Sequence, residues 1–321
     1  MCVGVDIGGT KTAAAWVDDD GRIGPVLEMP TRTESAEALM GSIVDLVGLV
    51  EGDLPSGRSL GAVGLGIAGL IDETGRRIRF STHLPLFGHD TGAILEQRLG
   101  VPVVLENDAT AAAWGEYVHG AGAGAAQLVM VSVGTGIGGG MVVDGRLYRG
   151  ATGAAAEFGH VSCVPDGWPC PCGQRGCWEQ YGSGRALGRF AREAAESDPA
   201  AAAVVLSHAG GHLDDVTGLH VTRAARDGDA FALAAVARLA EGLGLGLAGL
   251  IAALDPDRIV LGGGVVAGLG DLLIAPTIEQ MTKRTMGLGY RPAPAVVPAA
   301  LGAQAALIGA AASARVQSRA R

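Results

Sequence analysis

The sequence predicts an α/β protein of two related lobes facing a cleft, and three observations carry that expectation. Its 321 residues suffice for two domains of common size. Short apolar runs of strand length alternate with segments of helical period. A strand, a Gly-Thr turn and a returning strand stand at the N-terminus around Gly8-Gly9-Thr10. The same unit recurs mid-chain around Gly134-Thr135-Gly136, as a duplicated fold requires.

The elements follow in order. Residues 3–7 (VGVDI) are an apolar strand, Gly8 to Lys11 a turn, and 12–17 the returning strand. The polar turn DDDGR leads to a strand at 23–28. Residues 35–50 have helical spacing with Ser35 as N-cap, and 60–67 read as a buried strand. A helix at 93–99 precedes a strand at 101–106, which ends on Asn107-Asp108 and opens a helix at 109–118. The second half restarts with strands at 128–133 and 138–143 and the hairpin Asp144-Gly145. Helices are expected at 187–195, 221–226 and 229–253. A strand at 258–261 meets Gly262-Gly263-Gly264, and an Ala-rich helix at 303–316 closes the chain. Near Gly302 the chain is expected to return to the first lobe. The lobes are therefore drawn as 1–108 plus 302–321, and 109–301.

Composition limits the function. The chain is 48% hydrophobic but 4% aromatic, with 53 glycines, so its core is built from Ala, Val, Leu and Ile packed through small residues. A net charge of −9 argues against nucleic acid, whose phosphates need clustered Lys and Arg. The three arginines of the ARVQSRAR tail read as a solvated end. No basic, apolar leader precedes Asp6. The longest uncharged run, 120–143, is broken by eight glycines and makes a poor membrane helix. The expectation is a soluble cytoplasmic protein with no membrane partner.

The densest chemistry lies between Glu157 and Glu179. His160, Cys170, Cys172 and Cys177 supply one imidazole and three thiols, a set that fills a closed tetrahedral zinc site. No position is left for a catalytic water, so such a zinc is structural. Cys163 lies off the tight C-x-C-G-x-x-G-C core and reads as a spectator; Cys2 reads as a small buried hydrophobe. Glu157 and Glu179 bracket the cluster as rigid carboxylates suited to bind vicinal hydroxyls, and the free ring nitrogen of His160 adds a donor.

Elsewhere, Asp6, Gly8, Gly9, Thr10 and Lys11 form a glycine turn whose backbone N–H groups can approach an anion. Asp6 is placed to hold Mg²⁺ through water. The bland reading is a plain hairpin. Gly134, Thr135 and Gly136 repeat the device, and Gly263 and Gly264 offer a third glycine turn near a ribose or adenine. Asn107 and Asp108 are favoured helix caps. Their functional alternative is Asp108 as general base for a sugar hydroxyl, with Asn107 bonding a neighbouring hydroxyl.

Together these motifs resemble the ROK family, and most closely its bacterial glucokinases. The resemblance runs from D-I-G-G-T-K (6–11) through E-N-D-A (106–109), V-G-T-G-I-G-G-G (133–140) and G-A-A-A-E-F-G-H (153–160). It continues through C-P-C-G-Q-R-G-C-W-E (170–179), V-L-G-G-G-V (260–265) and L-G-A-Q-A-A-L-I-G-A-A (301–311). It implies an actin/hexokinase-like (ribonuclease H-like) duplicated fold with two lobes around a cleft. It implies ATP and Mg²⁺, and phosphoryl transfer to the 6-hydroxyl of a hexose, foremost glucose. Residues matching Asn107, Asp108, Glu157, His160 and Glu179 contact the sugar in that family, with Asp108 as the base and Gly69 in the retained Gly66-x-x-Gly69 turn. His83-Leu84 replaces the family's Asn-Leu segment. The alternatives are an N-acetylhexosamine kinase, for N-acetylmannosamine or N-acetylglucosamine, and a non-catalytic sugar sensor. Repressors of the family carry an extra N-terminal DNA-binding domain; with the first strand beginning by Val3, none is expected here. The cysteine cluster favours ATP over polyphosphate, and a homodimer or homotetramer is expected.

Overall fold

Alternation along the strands accounts for the first half of the chain. In the computed structural model, which describes residues 1–319, it forms β1 (Cys2–Ile7), β2 (Lys11–Val17), β3 (Leu27–Pro30), α1 (Ala36–Gly52), β4 (Ala62–Ile67), β5 (Leu70–Ile71), β6 (Ile78–Phe80), α2 (Thr91–Leu99), β7 (Val103–Asn107) and α3 (Asp108–His119). Then come β8 (Gln127–Val133), β9 (Ile137–Val143), β10 (Arg146–Leu147), α4 (Glu179–Gly182), α5 (Gly184–Ser197), α6 (Ala203–His208), α7 (Gly218–Arg226), α8 (Ala230–Leu254), β11 (Arg258–Gly262), α9 (Gly264–Leu269), α10 (Asp271–Arg284), β12 (Ala295–Pro298) and α11 (Ala305–Arg319). Ser35 caps α1, its Oγ accepting from the Ala38 N–H at 3.1 Å.

Three expectations change. The strand expected at 23–28 is a single bridge, Ile23 to Val17, and pairing resumes only at Leu27. Gly24 lies under the Trp16 ring, and Pro25 has no N–H for a ladder. Helix α10 carries an internal proline, Pro276, which hid it from periodicity. The tail is only partly solvated. Arg315 donates to the carbonyls of Val17 and Asp18 at 2.9 and 2.8 Å and pairs with Asp19. Its last residues, Ala320 and Arg321, lie outside the described residues.

The chain divides into two compact units. One comprises Met1–Val129, Gly140–Ala156 and the C-terminal segment from Ala300; the other comprises Met130–Gly139 and Glu157–Ala299. This division does not fall at 108/109, because α3 packs against α11 within the first unit.

The first unit is built on a sheet of order β3-β2-β1-β4-β7, with β1, β4 and β7 parallel. Val3, Val5, Ile7, Val63, Leu65 and Ile67 point into one core with α1 and α2. The other face carries Cys2, Gly4, Ala62 and Gly64, and α11 lies directly on it. A Cβ at Gly4 would come 2.0 Å from the Leu307 carbonyl oxygen, and one at Gly64 1.9 Å from that of Ala310. The glycine-rich, aromatic-poor composition thus serves backbone-to-backbone packing. Gly309 of α11 is held as tightly, 1.7 Å separating its would-be Cβ from the Ala111 carbonyl oxygen of α3. Gly309→Val is therefore expected to destabilise the protein by about 1–3 kcal/mol or more, read as an earlier urea midpoint. An unchanged midpoint would show that the two helices part freely.

The second sheet has order β10-β9-β8-β11-β12, and β8 and β9 are divided between the units at Val129 and Gly139. In the second unit β11 and β12 run parallel, Ile259 beside Val296. Helix α8 is long and apolar enough to cross a membrane. Its buried side chains, among them Leu239, Leu243 and Leu247, pack instead as a core helix against α10, α5 and α7.

Candidate active site

In the first unit, parallel pairing brings the C-terminal ends of β1, β4 and β7 to one edge, where open α/β sheets place their ligands. Asp6 is in register with Gly66, and Gly66 with Glu106. The turn after β1, the Gly66–Gly69 turn and the Asn107-Asp108 pair therefore share that edge. Asn107 is the N-cap of α3: its Oδ1 accepts from the Thr110 N–H at 3.0 Å and its Nδ2 donates to the Gly69 carbonyl at 3.2 Å. Capping thus falls to Asn107. Asp108, one residue on, is half-buried in the first turn and accepts from the Ala109 N–H at 2.8 Å.

Two carboxylates meet here. Burial raises the Asp6 carboxyl to about 6; the charge of Asp108 adds to the rise and Lys11 opposes it. Burial also raises Asp108, against the lowering effect of hydrogen bonds from backbone N–H groups and from Asn107. A carboxylate raised in this way is a stronger base than an exposed one, as a proton acceptor needs to be.

The glycine turn is a hairpin with an exposed tip. Gly8 N–H bonds the Lys11 carbonyl at 3.0 Å, and Thr31 Oγ1 donates to the Gly8 carbonyl at 2.8 Å. Gly9 and Thr10 are exposed. Lys11 donates to Glu28 Oε1 at 2.7 Å, an exposed pair worth little in stability. His83 lies beside the turn, its Cβ 3.5 Å from where a Cβ on Gly9 would stand.

The second unit holds the cysteine loop. Trp178, fully buried, anchors it on α8: its indole donates to the Gly242 carbonyl at 2.8 Å and covers Gly246, where no side chain fits. The donor atoms of His160, Cys170, Cys172 and Cys177 all lie within 4.8 Å of one another. A tetrahedral ion with ~2.3 Å bonds to sulfur and ~2.0 Å to nitrogen needs edges of roughly 3.8 and 3.5 Å. Cys172 and Cys177 Sγ are 3.6 Å apart, and Cys170 Sγ and His160 Nδ1 3.7 Å, so the cluster fits a structural metal. Burial pushes the Cys170 thiol up to about 12, and its hydrogen bond with Glu179 pushes the same way. Thiols so placed ionise with a cation among them. The Cys163 thiol donates to the Val161 carbonyl and stands outside the set.

Glu179 opens α4 directly beside the cluster. Its Oε1 accepts from Cys170 Sγ at 3.2 Å and from Gln180 Nε2 at 3.3 Å. Its Oε2 lies 2.5 Å from where a Cβ on Gly136 would stand, which accounts for that glycine. The Glu157 carbonyl accepts from the His160 N–H at 3.0 Å. With His160 Nδ1 turned to the sulfurs, Nε2 remains for a further bond.

The same unit contains a cavity of ≈ 670 Å³ lined by Gly134, Thr135, Gly184, Gly218 and Gly264 among others. Helices α5, α7 and α9 all begin at its wall, and helix N-termini favour anions. Gly134 N–H bonds the Gly136 carbonyl at 3.0 Å, and Gly184 N–H the Gly134 carbonyl at 2.8 Å. Gly136 and Gly263 support this wall without lining it. Gly263 takes φ +89 and caps α9, its would-be Cβ 2.4 Å from the Val133 carbonyl oxygen. Sequence reasoning missed Thr217, Gly218 and Arg223 of this cavity; a Thr-Gly helix start was their only local signal.

The chain matches the ROK family over residues 2–317. It is 42% identical over 315 residues to a glucokinase of Streptomyces coelicolor, covering 98% of each chain. The crystal structure of a ROK family glucokinase from Streptomyces griseus, in complex with glucose and AMPPNP, is 42% identical, with a TM-score of 0.86 over 98% of this chain and 99% of that one. A ROK hexokinase from Thermus thermophilus is 34% identical, with a TM-score of 0.83 over 100% of this chain and 99% of that one.

Proposed function

The chain belongs to the ROK family, and from that premise we propose that it phosphorylates glucose at the 6-hydroxyl, with ATP as donor. Its fold is the actin/hexokinase-like α/β fold of ROK sugar kinases, and it is a hexose kinase. The single observation that carries the reaction is Asp108: a half-buried carboxylate, relieved of capping by Asn107 and raised in pKa. It takes the proton of the 6-hydroxyl as that oxygen attacks the γ-phosphoryl group in line. Asn107, Gly69, Glu157, His160 and Glu179 bind the sugar. The backbone of Gly8–Lys11 and of Gly134–Gly136 stabilises charge on the phosphoryl groups, and Gly263 and Gly264 serve the nucleoside end.

The excess negative charge of Asp6 beside Asp108 fits a divalent cation. Asp6 would hold Mg²⁺, which neutralises charge on the transferring phosphoryl group when bound. Zinc is the ion we assign to the His160, Cys170, Cys172 and Cys177 cluster, on ligand type. A homodimer or homotetramer and a cytoplasmic location remain part of the proposal. The reaction is tested by coupling ADP release to hexose phosphorylation across glucose, mannose and N-acetylmannosamine, with ATP and polyphosphate as rival donors. Failure of glucose with ATP, alongside success of another pair, would replace this reading.

The Asp6 shift also makes a stability prediction. Its folded-state pKa is raised from 3.8 to about 6, so folding is favoured with Asp6 protonated and loses that advantage as pH rises through about 6. Asp6→Asn is therefore expected to stabilise the metal-free protein at pH 8 by on the order of 1–3 kcal/mol. The gain should vanish below about pH 4, where both states carry the protonated acid. Urea titrations at the two pH values check it; an equal effect at both would assign the shift elsewhere.

A further inference from the structure

Glu106 of the E-N-D-A motif has no role in the reaction above, yet it is the most enclosed acid near the site, 2% exposed. It stands on β7 two residues before Asp108. Its partner comes from 43 residues away: Arg149 Nε lies 3.2 and 3.1 Å from its two carboxylate oxygens, and Arg149 Nη2 bonds Oε1 as well. Ser313 Oγ of α11 donates to Oε1 at 2.5 Å, and Gln317 Nε2 reaches it at 3.3 Å. Both oxygens of this buried acid thus have a donor, as burial of a charge requires.

Arg149 also begins the segment that ends at Glu157. Its carbonyl accepts from the Ala155 N–H at 3.1 Å, closing a short loop. Within that loop Gly153 takes φ +83 against β5, its would-be Cβ 2.0 Å from the Ile71 carbonyl oxygen. Ala156 then takes φ +66, a left-handed conformation that a non-glycine residue adopts only when its surroundings hold it. Glu157 follows directly in the chain. The strand bearing Asn107-Asp108 and the loop delivering Glu157 are thereby fastened at one ion pair.

We infer that Arg149 is a positioning residue for sugar binding, acting through Glu106 without touching the sugar. The inference rests on the glucokinase reading and names a residue beyond it. A guanidinium is suited to the task, since its planar fork fixes both distance and angle, which a lysine ammonium does not.

The test compares Arg149→Met, Arg149→Lys and Ser313→Ala with the wild-type enzyme. Steady-state constants are measured for glucose and for ATP, together with thermal midpoints. Arg149→Met is expected to raise KM for glucose at least 10-fold while KM for ATP moves less than 2-fold. Added guanidinium should restore part of the loss, and Arg149→Lys should fall between. Ser313→Ala touches the same buried carboxylate from α11. It should lower the thermal midpoint while leaving KM for glucose within 2-fold.

If Arg149→Met does not fold, Arg149→Lys is read against the same criteria. Equal rises in both KM values, or a glucose KM that follows the thermal midpoint across all variants, would overturn the inference. So would an unchanged KM for glucose. A wild-type enzyme that phosphorylates no hexose would instead overturn the glucokinase reading, so the two failures are distinguishable.

Discussion

Asp108→Asn is expected to lower kcat for glucose by about 10²–10⁴-fold, the worth of a positioned general base. KM for glucose should stay within a few-fold. The amide keeps the shape of the side chain and can still accept from the Ala109 N–H at 2.8 Å, while Asn107 continues to cap α3. Only the capacity to take a proton is lost, so the change should fall on kcat rather than on binding. Burial raises the pKa of Asp108, so removing its charge relieves a desolvation cost, and it also removes the charge that adds to the rise of Asp6. The variant is therefore expected to be at least as stable as wild type at pH 8. Thermal midpoints and single-turnover rates check both statements. A variant retaining more than half of the wild-type turnover would remove Asp108 from the base role.

The second large effect concerns the cysteine loop. Cys172→Ser is expected to abolish metal binding at the cluster, zinc in our proposal, and to weaken glucose binding by roughly 10-fold or more, the worth of one or two charge-assisted hydrogen bonds. Cys172 is exposed, so serine there removes a ligand with little loss of packing. Glu179 Oε1 rests on Cys170 Sγ at 3.2 Å, and His160 faces the same sulfur; both lose their frame when the cluster opens. The anchor of Trp178 on Gly242 should keep α4 and α8 together, so KM for ATP is expected to change little. Metal analysis by mass spectrometry and calorimetric titration with glucose check this. Full glucose affinity in a zinc-free variant would reduce the cluster to a staple.

Much of this was legible locally. Alternation of Val3, Val5 and Ile7 with Cys2 and Gly4 announces a strand with one large-residue face and one bare face, because successive side chains leave opposite sides of a sheet. The cysteine spacing announces a metal loop because ligands so close in sequence leave few other geometries. Ser35 announces α1 because an N-cap needs only its own next turn. These features depend on neighbours within a few residues.

What lay beyond reach depends on register between distant segments. Nothing near Lys11 announces that Glu28 will pair with its ammonium. Nothing near Asn107 decides that it, and not Asp108, closes the helix; that follows from the Gly69 carbonyl lying within 3.2 Å of its amide. The Arg149–Glu106 pair joins residues 43 apart, and Ser313 reaches the same carboxylate across 207. By itself the sequence determined the periodicities, the glycine turns and the thiol set, since backbone geometry dictates them residue by residue. The tertiary structure decided which acid is buried, which cap is spent and which arginine holds the strand. Those outcomes turn on desolvation and on contacts that exist only once the strands have found their order.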